Sequence, residues 1–574
     1  MALADAFGPQ PQITNQGPAG DTDFHAGFHA LAYNSASHRH LVVYVGTTTD
    51  SPALMDDIWG HFADNSGNPV GGPFRITDVS QDYDEYNPAA VVYSPQRNEF
   101  LVAWDRDEVV YTRRLAADGT PLTGEVPISG IHDDIESESI AWNSRAGEYL
   151  VAWKSDGGAA TDRMYGRRVS GSGVAIDASE FEVAGGDTIT ANDATGLAYN
   201  ETSDEYLAIY RGTTPTDGYE VYAQRLRGAD AARVGSPDVQ ISSMGSGSPS
   251  FQVSPPSVVW NPVLNQYLVA WSGNDNAAAG QEVYGQLLAA DGTQIGSNDF
   301  RISDMGPEGD SAYGANRPRL LYNPNADEYF VSWHGEDNEG GLVDGEQEVF
   351  GQRLTPTGAE TGTNDFRISN AGPDGSVDVA ANRPAIAYNP NTCDYFVTWF
   401  TGDANTGAAT QEWEIFGRRV DAKPCPPPPP VVTDTVRPVI TGLRVTNKVF
   451  SVAVPRRKAS SSARVPRSTK FRYRLSEAAR VSFRIERKTK GRRVAGRCRK
   501  ATAKNRARKA CVRFVRVGSL AQRGKAGLNT KRFAGKVGAR RLKPGRYRAV
   551  VTARDAAGNR SKPRKVAFRV VRRK

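Results

Sequence analysis

Seven times in its first 420 residues the chain repeats one pattern, and that repeat limits what it can fold into more than any other feature. The clearest copy runs Leu321-Tyr322-Asn323-Pro324, then Asp327-Glu328-Tyr329-Phe330-Val331-Ser332-Trp333, then Glu348-Val349-Phe350-Gly351-Gln352-Arg353-Leu354, then Phe366-Arg367-Ile368-Ser369. Its anchor is an aromatic, usually followed by Asn, at Tyr33, Tyr93, Trp142, Tyr199, Trp260, Tyr322 and Tyr388. The spacing is roughly 50 to 65 residues, a period at which each copy is one supersecondary unit that buries its apolar face against its neighbours.

Each copy holds four short runs rich in Val, Ile, Phe, Tyr and Trp, separated by Gly, Asn, Asp and Pro, which predicts four strands joined by turns. The first run ends in Asn-Pro at Asn261-Pro262, Asn323-Pro324 and Asn389-Pro390, where Pro fixes φ and the Asn amide satisfies local backbone groups. The second ends in Tyr44, Trp104, Trp153, Tyr210, Trp271, Trp333 or Trp399, rings that bury large area. The third carries an aromatic and a small residue, as in Trp59-Gly60, Tyr165-Gly166, Tyr222-Ala223, Tyr284-Gly285, Phe350-Gly351 and Phe416-Gly417, with Tyr111-Thr112 departing from the pattern. Gly within a strand marks close backbone approach or a bulge. The seventh copy stops after its third run, and Gln12-Ile13-Thr14-Asn15-Gln16-Gly17-Pro18 resembles Arg367-Ile368-Ser369-Asn370-Ala371-Gly372-Pro373. The N-terminal segment therefore supplies the missing outer strand and closes a ring, which leaves only short, protected edges.

These repeats resemble the Tyr-Asn-Pro, Glu-Tyr-Leu-Val-Trp, Tyr-Gly-Gln-Arg-Leu repeats of secreted bacterial β-propeller proteins. The resemblance covers about residues 10 to 420 and implies an all-β fold, a seven-bladed β-propeller over residues 1–423. It implies almost nothing about activity. A polyproline linker follows over 424–434, with Lys423-Pro424-Cys425 running into Pro426 to Pro430, and a basic domain occupies 435–574.

The net charge of +6 hides two opposed halves: residues 431–574 hold 46 Lys and Arg against four acids, a net +42, which leaves −36 on residues 1–430. Such asymmetry points to a polyanion-facing tail, to docking of the tail on its own or a neighbouring propeller, or to both. In the tail, Arg alternates with apolar residues in Phe471-Arg472-Tyr473-Arg474-Leu475, Ser482-Phe483-Arg484-Ile485 and Arg546-Tyr547-Arg548-Ala549-Val550, so period two puts Arg on one face. Arg472, Arg474, Arg484, Arg546 and Arg548 are the candidate polyanion-binding residues. Leu542 to Tyr547, running into Ala553 to Ser561, resembles the last hairpin of immunoglobulin-like or fibronectin-III-like modules, which implies a small β-sandwich. The stretch Arg492–Lys525 is too basic and too poor in apolar residues for a strand assignment and reads as a mobile loop. No helix-turn-helix, zinc-finger or RNA-binding signature appears, so no specific nucleic acid is expected.

Four cysteines pair most economically within domains, Cys393 with Cys425 and Cys498 with Cys511, which places the protein in an oxidising compartment, secreted or at the cell surface. No apolar stretch is long enough for a spanning helix, and Ala2-Leu3-Ala4-Asp5-Ala6 reads as the small-residue tail of a signal peptide.

A search for chemistry finds little. No Gly-x-Ser-x-Gly elbow, sialidase Ser-x-Asp-x-Gly-x-Thr-Trp box or His-Glu-x-x-His is present. Seven histidines (His25, His29, His38, His40, His61, His132, His334) read as polar loop residues, and His25 and His29, four apart in a strand, lie on one face too far apart to chelate one metal. The acidic loops of blades five to seven make Asp275, Asp337, Asp344 and Asp403 the weak candidates for a structural Ca²⁺, the one cofactor considered. Arg317-Pro318, Arg383-Pro384 and Phe28-His29 begin innermost strands, which makes Arg317, Arg383 and His29 candidate ligand-binding residues at the mouth of the channel. The expectation is a secreted, non-catalytic binding protein, with a glycan, peptide or protein on the propeller and anionic cell-envelope polymers on the tail. The alternatives are a polysaccharide hydrolase or lyase using funnel carboxylates, and a surface-layer component assembled through the opposed charges.

Overall fold

The computed structural model describes the chain except residues 1–6, 18–23, 49–54, 79–88, 133–134, 156–161, 186–189, 215–217, 245–252, 275–279, 308, 402–412, 422–435, 453–464, 539, 556–558 and 573–574. The chain divides into two compact units, Met1–Pro427 and Pro428–Lys574. The first holds seven antiparallel sheets whose strands follow one another in sequence order, six of four strands and a seventh of three. Their first strands are Ala26–Asn34, Ala90–Ser94, Glu136–Asn143, Thr190–Asn200, Ser257–Asn261, Ala315–Asn323 and Ala381–Asn389. Each of these lies against the next, and the seventh lies against the first. That closed sequence of neighbours is a seven-bladed propeller with the first strands around a central channel.

The second strand of each blade is its most buried element, and Tyr44, Trp104, Trp153, Tyr210, Trp271, Trp333 and Trp399 are fully buried, as the repeat predicts. The small residue of the third strand has a specific cause, visible from its cross-strand partner on the outer strand. Gly60, Gly166, Gly285 and Gly351 lie opposite Phe74, Phe181, Phe300 and Phe366. Ala223 and Thr112 lie opposite Val239 and Val126. A Cβ built on Gly60 would sit 2.6 Å from the Phe74 ring and one on Gly285 2.9 Å from the Phe300 ring, while on Gly166 and Gly351 it would meet Val183 at 2.7 Å and Ile368 at 2.9 Å. Blades two and four carry the larger Thr112 and Ala223 at this place, opposite the smaller Val126 and Val239, which fits a balance of volume across the strand pair.

The N-terminal segment completes blade seven. Gly8 N donates to Arg419 O at 2.9 Å and Ile13 N to Ile415 O at 2.7 Å, while Gly417 N donates to Pro11 O at 3.1 Å. The Thr14 hydroxyl donates to Glu414, and Gln16 N reaches the same carboxylate at 2.5 Å. This clasp repeats one found inside single blades, where Ser242, Ser303 and Ser369 donate to Glu220, Glu282 and Glu348, and Thr77 to Asp57. These five acids are hydrogen-bonded staples of the outer strand and are structural rather than available for chemistry.

The Asn after the anchor is equally structural. Asn323 is fully buried, and its Oδ1 accepts from Asn325 N at 3.0 Å and Ala326 N at 3.1 Å, closing the turn before the second strand. Its Nδ2 donates to Tyr395 OH of the next blade at 3.0 Å. Asn323→Ala removes both turn bonds and the buried bond to Tyr395 OH, and the expected loss of about 2–3 kcal/mol is checked by urea unfolding of the variant.

The second unit is a β-sandwich. A three-stranded sheet, Ile440–Val445, Thr469–Leu475 and Gly527–Phe533, faces a larger sheet containing Ala479–Val494, Ala510–Gly524, Gly545–Arg554 and Arg564–Val571. Phe471, Phe483, Phe533 and Phe568 from both sheets fill one core. The mobile loop expected over Arg492–Lys525 is corrected. Ala510–Gly524 pairs along almost the whole of Ala479–Val494, and Cys498–Cys511 (Cα–Cα 6.0 Å) ties the turn of that long hairpin. The low apolar content there reflects a two-stranded extension that reaches past the core, in which cross-strand pairing replaces burial. Cys393 is also disulfide-bonded, whereas Cys425 and the linker 424–434 lie outside the described residues.

Candidate functional site

Six blades share a positive φ in the turn before the second strand, at His38, Asn98, Asp204, Asn265, Asp327 and Cys393, and blades six, seven and one, which are consecutive around the ring, share a further irregularity. Arg317, Arg383 and Phe28 occupy equivalent places near the start of their first strands, with φ of 52°, 49° and 45°. Each sits in a break of register against the second strand, between Asn316 and Arg319, Asn382 and Ala385, and Gly27 and Ala30. A side chain in the left-handed region costs about 1–2 kcal/mol, and the strain is tolerated because proline, which has no N–H to lose, follows both arginines in the bulge. The bulge also interrupts the plain alternation assumed for His25 and His29. His25 engages Thr47 at 2.9 Å and Asp56 at 3.5 Å, while His29 turns to Thr398 of blade seven at 2.8 Å.

These bulges bring cations together. The Arg383 guanidinium lies 4.3 Å from the centre of the Phe28 ring, joining blade seven to blade one. Phe28 in turn packs on Phe400 (5.4 Å) and Trp413 (5.8 Å), an aromatic wall beside the arginines. His334, at the end of the second strand of blade six, lies opposite Asn316, and its Nδ1 accepts from the Arg383 amide at 3.3 Å. Burial and the charges of Arg317, Arg383 and Arg319 push its pKa down to about 3. Burial does the same for His29, also to about 3, with Arg319 contributing. Arg319 is lowered to about 10, first by burial and then by the charge of Arg317. It makes no ion pair with a described residue, and the nearest acceptor recorded for it is Pro318 O at 3.4 Å.

The result is a mouth carrying three arginines and two imidazoles that remain neutral at any physiological pH. With Nδ1 engaged, His334 presents Nε2–H as a donor. His29 donates Nε2–H to Thr398, whose hydroxyl donates to Ala385 O at 3.4 Å, and its buried Nδ1 lone pair has no partner among the described residues. This arrangement suits an oxyanion, because fixed cations and neutral N–H donors in a partly dry site stabilise negative charge without reorganising.

No family model matches this sequence, and no curated protein does. Solved structures do match. An N-acetylgalactosamine deacetylase from F. plautii is 11% identical, covering 64% of this chain and 94% of its own, with a TM-score of 0.31. An ulvan lyase from a new family of polysaccharide lyases is 10% identical over 72% of this chain and 94% of its own, with a TM-score of 0.42. An α-L-arabinofuranosidase from Fusarium graminearum is 12% identical over 57% and 91%, with a TM-score of 0.38. The expectation of a non-catalytic binding and adhesion protein is corrected against these findings: the solved structures similar to this chain are largely glycan-processing enzymes, and the reading as a non-enzyme is withdrawn. At such low identity the likeness bears on the fold, and the chemistry rests on the mouth itself.

The remaining sequence candidates are distributed as follows. Arg317, Arg383 and His29 all lie in the cluster. Asp337 is buried and accepts from Gly306 N (3.2 Å) and Asn338 N (2.7 Å), Asp344 is exposed, and Asp275 and Asp403 lie outside the described residues. Among the described residues no group of three or more His, Cys, Asp or Glu could hold a metal. The tail arginines do not form one face. Arg472 and Arg474 point out from the three-stranded sheet, Arg484, Arg546 and Arg548 from the other, because each sheet of a sandwich turns its own polar face outward. The view of the histidines as polar loop residues is also corrected, since His29, His40 and His61 are buried within strands. Sequence reasoning passed over Arg319 and placed no role on His334. The available signal was Arg-Pro-Arg at 317–319 where the seventh copy has Arg-Pro-Ala at 383–385.

Proposed function

We propose that the propeller is a polysaccharide-cleaving enzyme acting on an acidic glycan, with a uronate group held at the channel mouth and cleaved by elimination. The carrying observation is the cluster of Arg317, Arg319 and Arg383 around the neutral His334 on strained backbone. Transfer of the C5 proton, next to the uronate carboxyl, to the unpartnered lone pair of His29 Nδ1 puts a second negative charge on the carboxyl group; that charge then forms the C4–C5 double bond as the C4–O bond breaks, and the leaving oxygen takes a proton from water. Arginines and a neutral imidazole N–H are the donors such a charge requires, and a neutral histidine is an established electrophile of this kind. Phe28, Phe400 and Trp413 offer the apolar wall against which a sugar ring rests. The buried acids repeated at the start of the third strands, Glu282 and Glu348, are tied to Ser303, Ser369 and backbone N–H groups and serve the fold instead of the chemistry.

Secretion belongs to the same reading. The Cys498–Cys511 disulfide favours an oxidising compartment, and among the described residues no helix is long and apolar enough to cross a membrane. The sandwich is read as an immunoglobulin-like module.

The test is incubation of the full chain with polygalacturonate, alginate and glucuronan, with neutral arabinan alongside, following the ultraviolet absorbance of unsaturated uronate. Arg319→Gln is expected to lower kcat/KM by about 10²–10³-fold while the fold, read by circular dichroism, is kept. Reducing ends that appear without the absorbance would mean hydrolysis, and turnover unaffected by Arg319→Gln would remove the mouth from the mechanism.

A further inference from the structure

The larger sheet of the C-terminal sandwich carries a groove of about 570 Å³. Its charged lining is Lys448, Lys488, Arg546, Arg548, Lys565 and Arg569. Two of these are direct cross-strand partners: Arg546 lies opposite Arg569. Like charges in that position repel and are destabilising. Nothing in the described residues offsets them. Among the tail's described acids, Glu477, Glu486 and Asp555, only Glu486 reaches this face, and it is already shared by Arg548 at 2.6 Å and Arg484 at 2.9 Å. Arg546, Arg569, Lys565, Lys488 and Lys448 make no ion pair with any described residue, and all five are exposed.

From this we infer that the groove is a binding site for an acidic polysaccharide, independent of the channel mouth, in which sulfate or carboxylate groups of the polymer take the place of the missing acids. The aromatic residues of the groove favour a glycan over a single-stranded nucleic acid. Sequence-tolerant binding of single strands relies on open aromatic faces for base stacking. Here Tyr547 and Phe568 are buried and stacked on each other at 5.7 Å, and Phe514, 37% exposed, has one face taken by the Arg548 guanidinium at 3.6 Å, so the groove offers no run of open rings. What remains accessible is charge and apolar edge, which suits a flexible chain of oxyanions. The proposal concerns binding alone, so it stands or falls separately from the elimination chemistry assigned to the propeller.

Two matched variants of the full chain test it. Arg569→Glu places an acid opposite Arg546 inside the groove. Arg472→Glu places one opposite Arg444 on the outward face of the other sheet, with the same change in net charge. Dextran sulfate is the probe, titrated at low and near-physiological salt, with uncharged dextran and single-stranded DNA for comparison. Arg569→Glu is expected to weaken dextran sulfate binding by about ten-fold or more, as loss of a central arginine anchor does, while Arg472→Glu changes it less than about two-fold. The melting temperature of Arg569→Glu is expected to rise, because a repulsive pair becomes an attractive one, so lost binding with raised stability separates a binding role from unfolding. Equal weakening by both variants would overturn the groove in favour of diffuse charge. DNA binding as tight as dextran sulfate and equally sensitive to Arg569→Glu would overturn the glycan assignment. Salt-sensitive self-association abolished by Arg569→Glu, without an effect on dextran sulfate, would assign the groove to the acidic propeller of another copy.

Discussion

A chain lacking residues 1–17 is expected to lose its cooperative propeller transition rather than behave as a trimmed form of the same fold. Without that segment the third strand of blade seven, Glu414–Val420, becomes an open edge, and Ile13, 2% exposed and part of the blade-one core, leaves a cavity. The carboxylate of Glu414 loses Thr14 and Gln16, Ile415 N loses its 2.8 Å bond to Thr14 Oγ1, and Arg418 loses its 3.0 Å bond to Gly8 O. Burial of one isoleucine contributes about 2 kcal/mol and each orphaned buried group costs about 1–3 kcal/mol, so the sum is on the order of 5 kcal/mol or more, comparable with the whole stability of many domains. Differential scanning calorimetry of the truncated and full chains measures it. A propeller transition that survives with its melting temperature within a few degrees would show that six complete blades hold the ring without the clasp. Glu414→Gln is the gentler variant, expected to cost less because its amide oxygen still accepts from Thr14.

Acid sensitivity is the second large effect, and its sign follows from three histidines buried in neutral form. His29, His40 and His334 each have a pKa lowered to about 3 in the folded chain, burial being the first cause in every case. His40 shows why: it is 1% exposed, between the rings of Tyr33 at 4.9 Å and Phe396 at 4.5 Å, the latter on the closing blade. The unfolded chain binds protons at these sites below pH 6.5 and the folded chain does not until about pH 3. Their stability is therefore fully present above pH 6.5 and falls as the pH drops through that window. At pH 5 each histidine removes about 2 kcal/mol, and three together approach the total stability of a domain. Asp365 works in the other direction. Burial pushes its carboxyl up to about 8, so it favours the folded state as pH falls from there toward 3.8, offsetting one histidine of the three. The expected net result is a urea midpoint that drops steeply between pH 6.5 and pH 5, with a shallower drop in His40→Phe. A midpoint constant across that range would contradict neutral burial of these rings.

Much of the propeller is legible in the sequence because its blades obey the simplest local rules. Alternation, Asn-Pro turns and a terminal aromatic set each strand, and seven copies make errors at single positions harmless. Even the unpaired third strand of the seventh copy, with Gln12-Ile13-Thr14 to match it, could be read directly, and the bond from Ile13 N to Ile415 O is its realisation. The long hairpin of Ala479–Val494 with Ala510–Gly524 was not legible, because its residues stay paired without being buried and so leave no apolar signature.

The mouth cluster belongs to the tertiary structure. Sequence marked Arg317, Arg383 and His29 as the first residues of inner strands, but it treated those strands as regular. The left-handed bulges at Phe28, Arg317 and Arg383, the approach of Arg383 to Phe28 and the meeting of His334 with the Arg383 amide all cross between blades. The same division holds in the tail. Period two predicted which arginines face outward, while only the packing of two sheets decided that they face opposite ways and that Arg546 and Arg569 meet without an acid between them. Repeats and alternation are properties of neighbouring residues, so the chain alone fixes the blades and their number. Which charges come together depends on contacts between distant segments, and those exist only once the ring and the sandwich have closed.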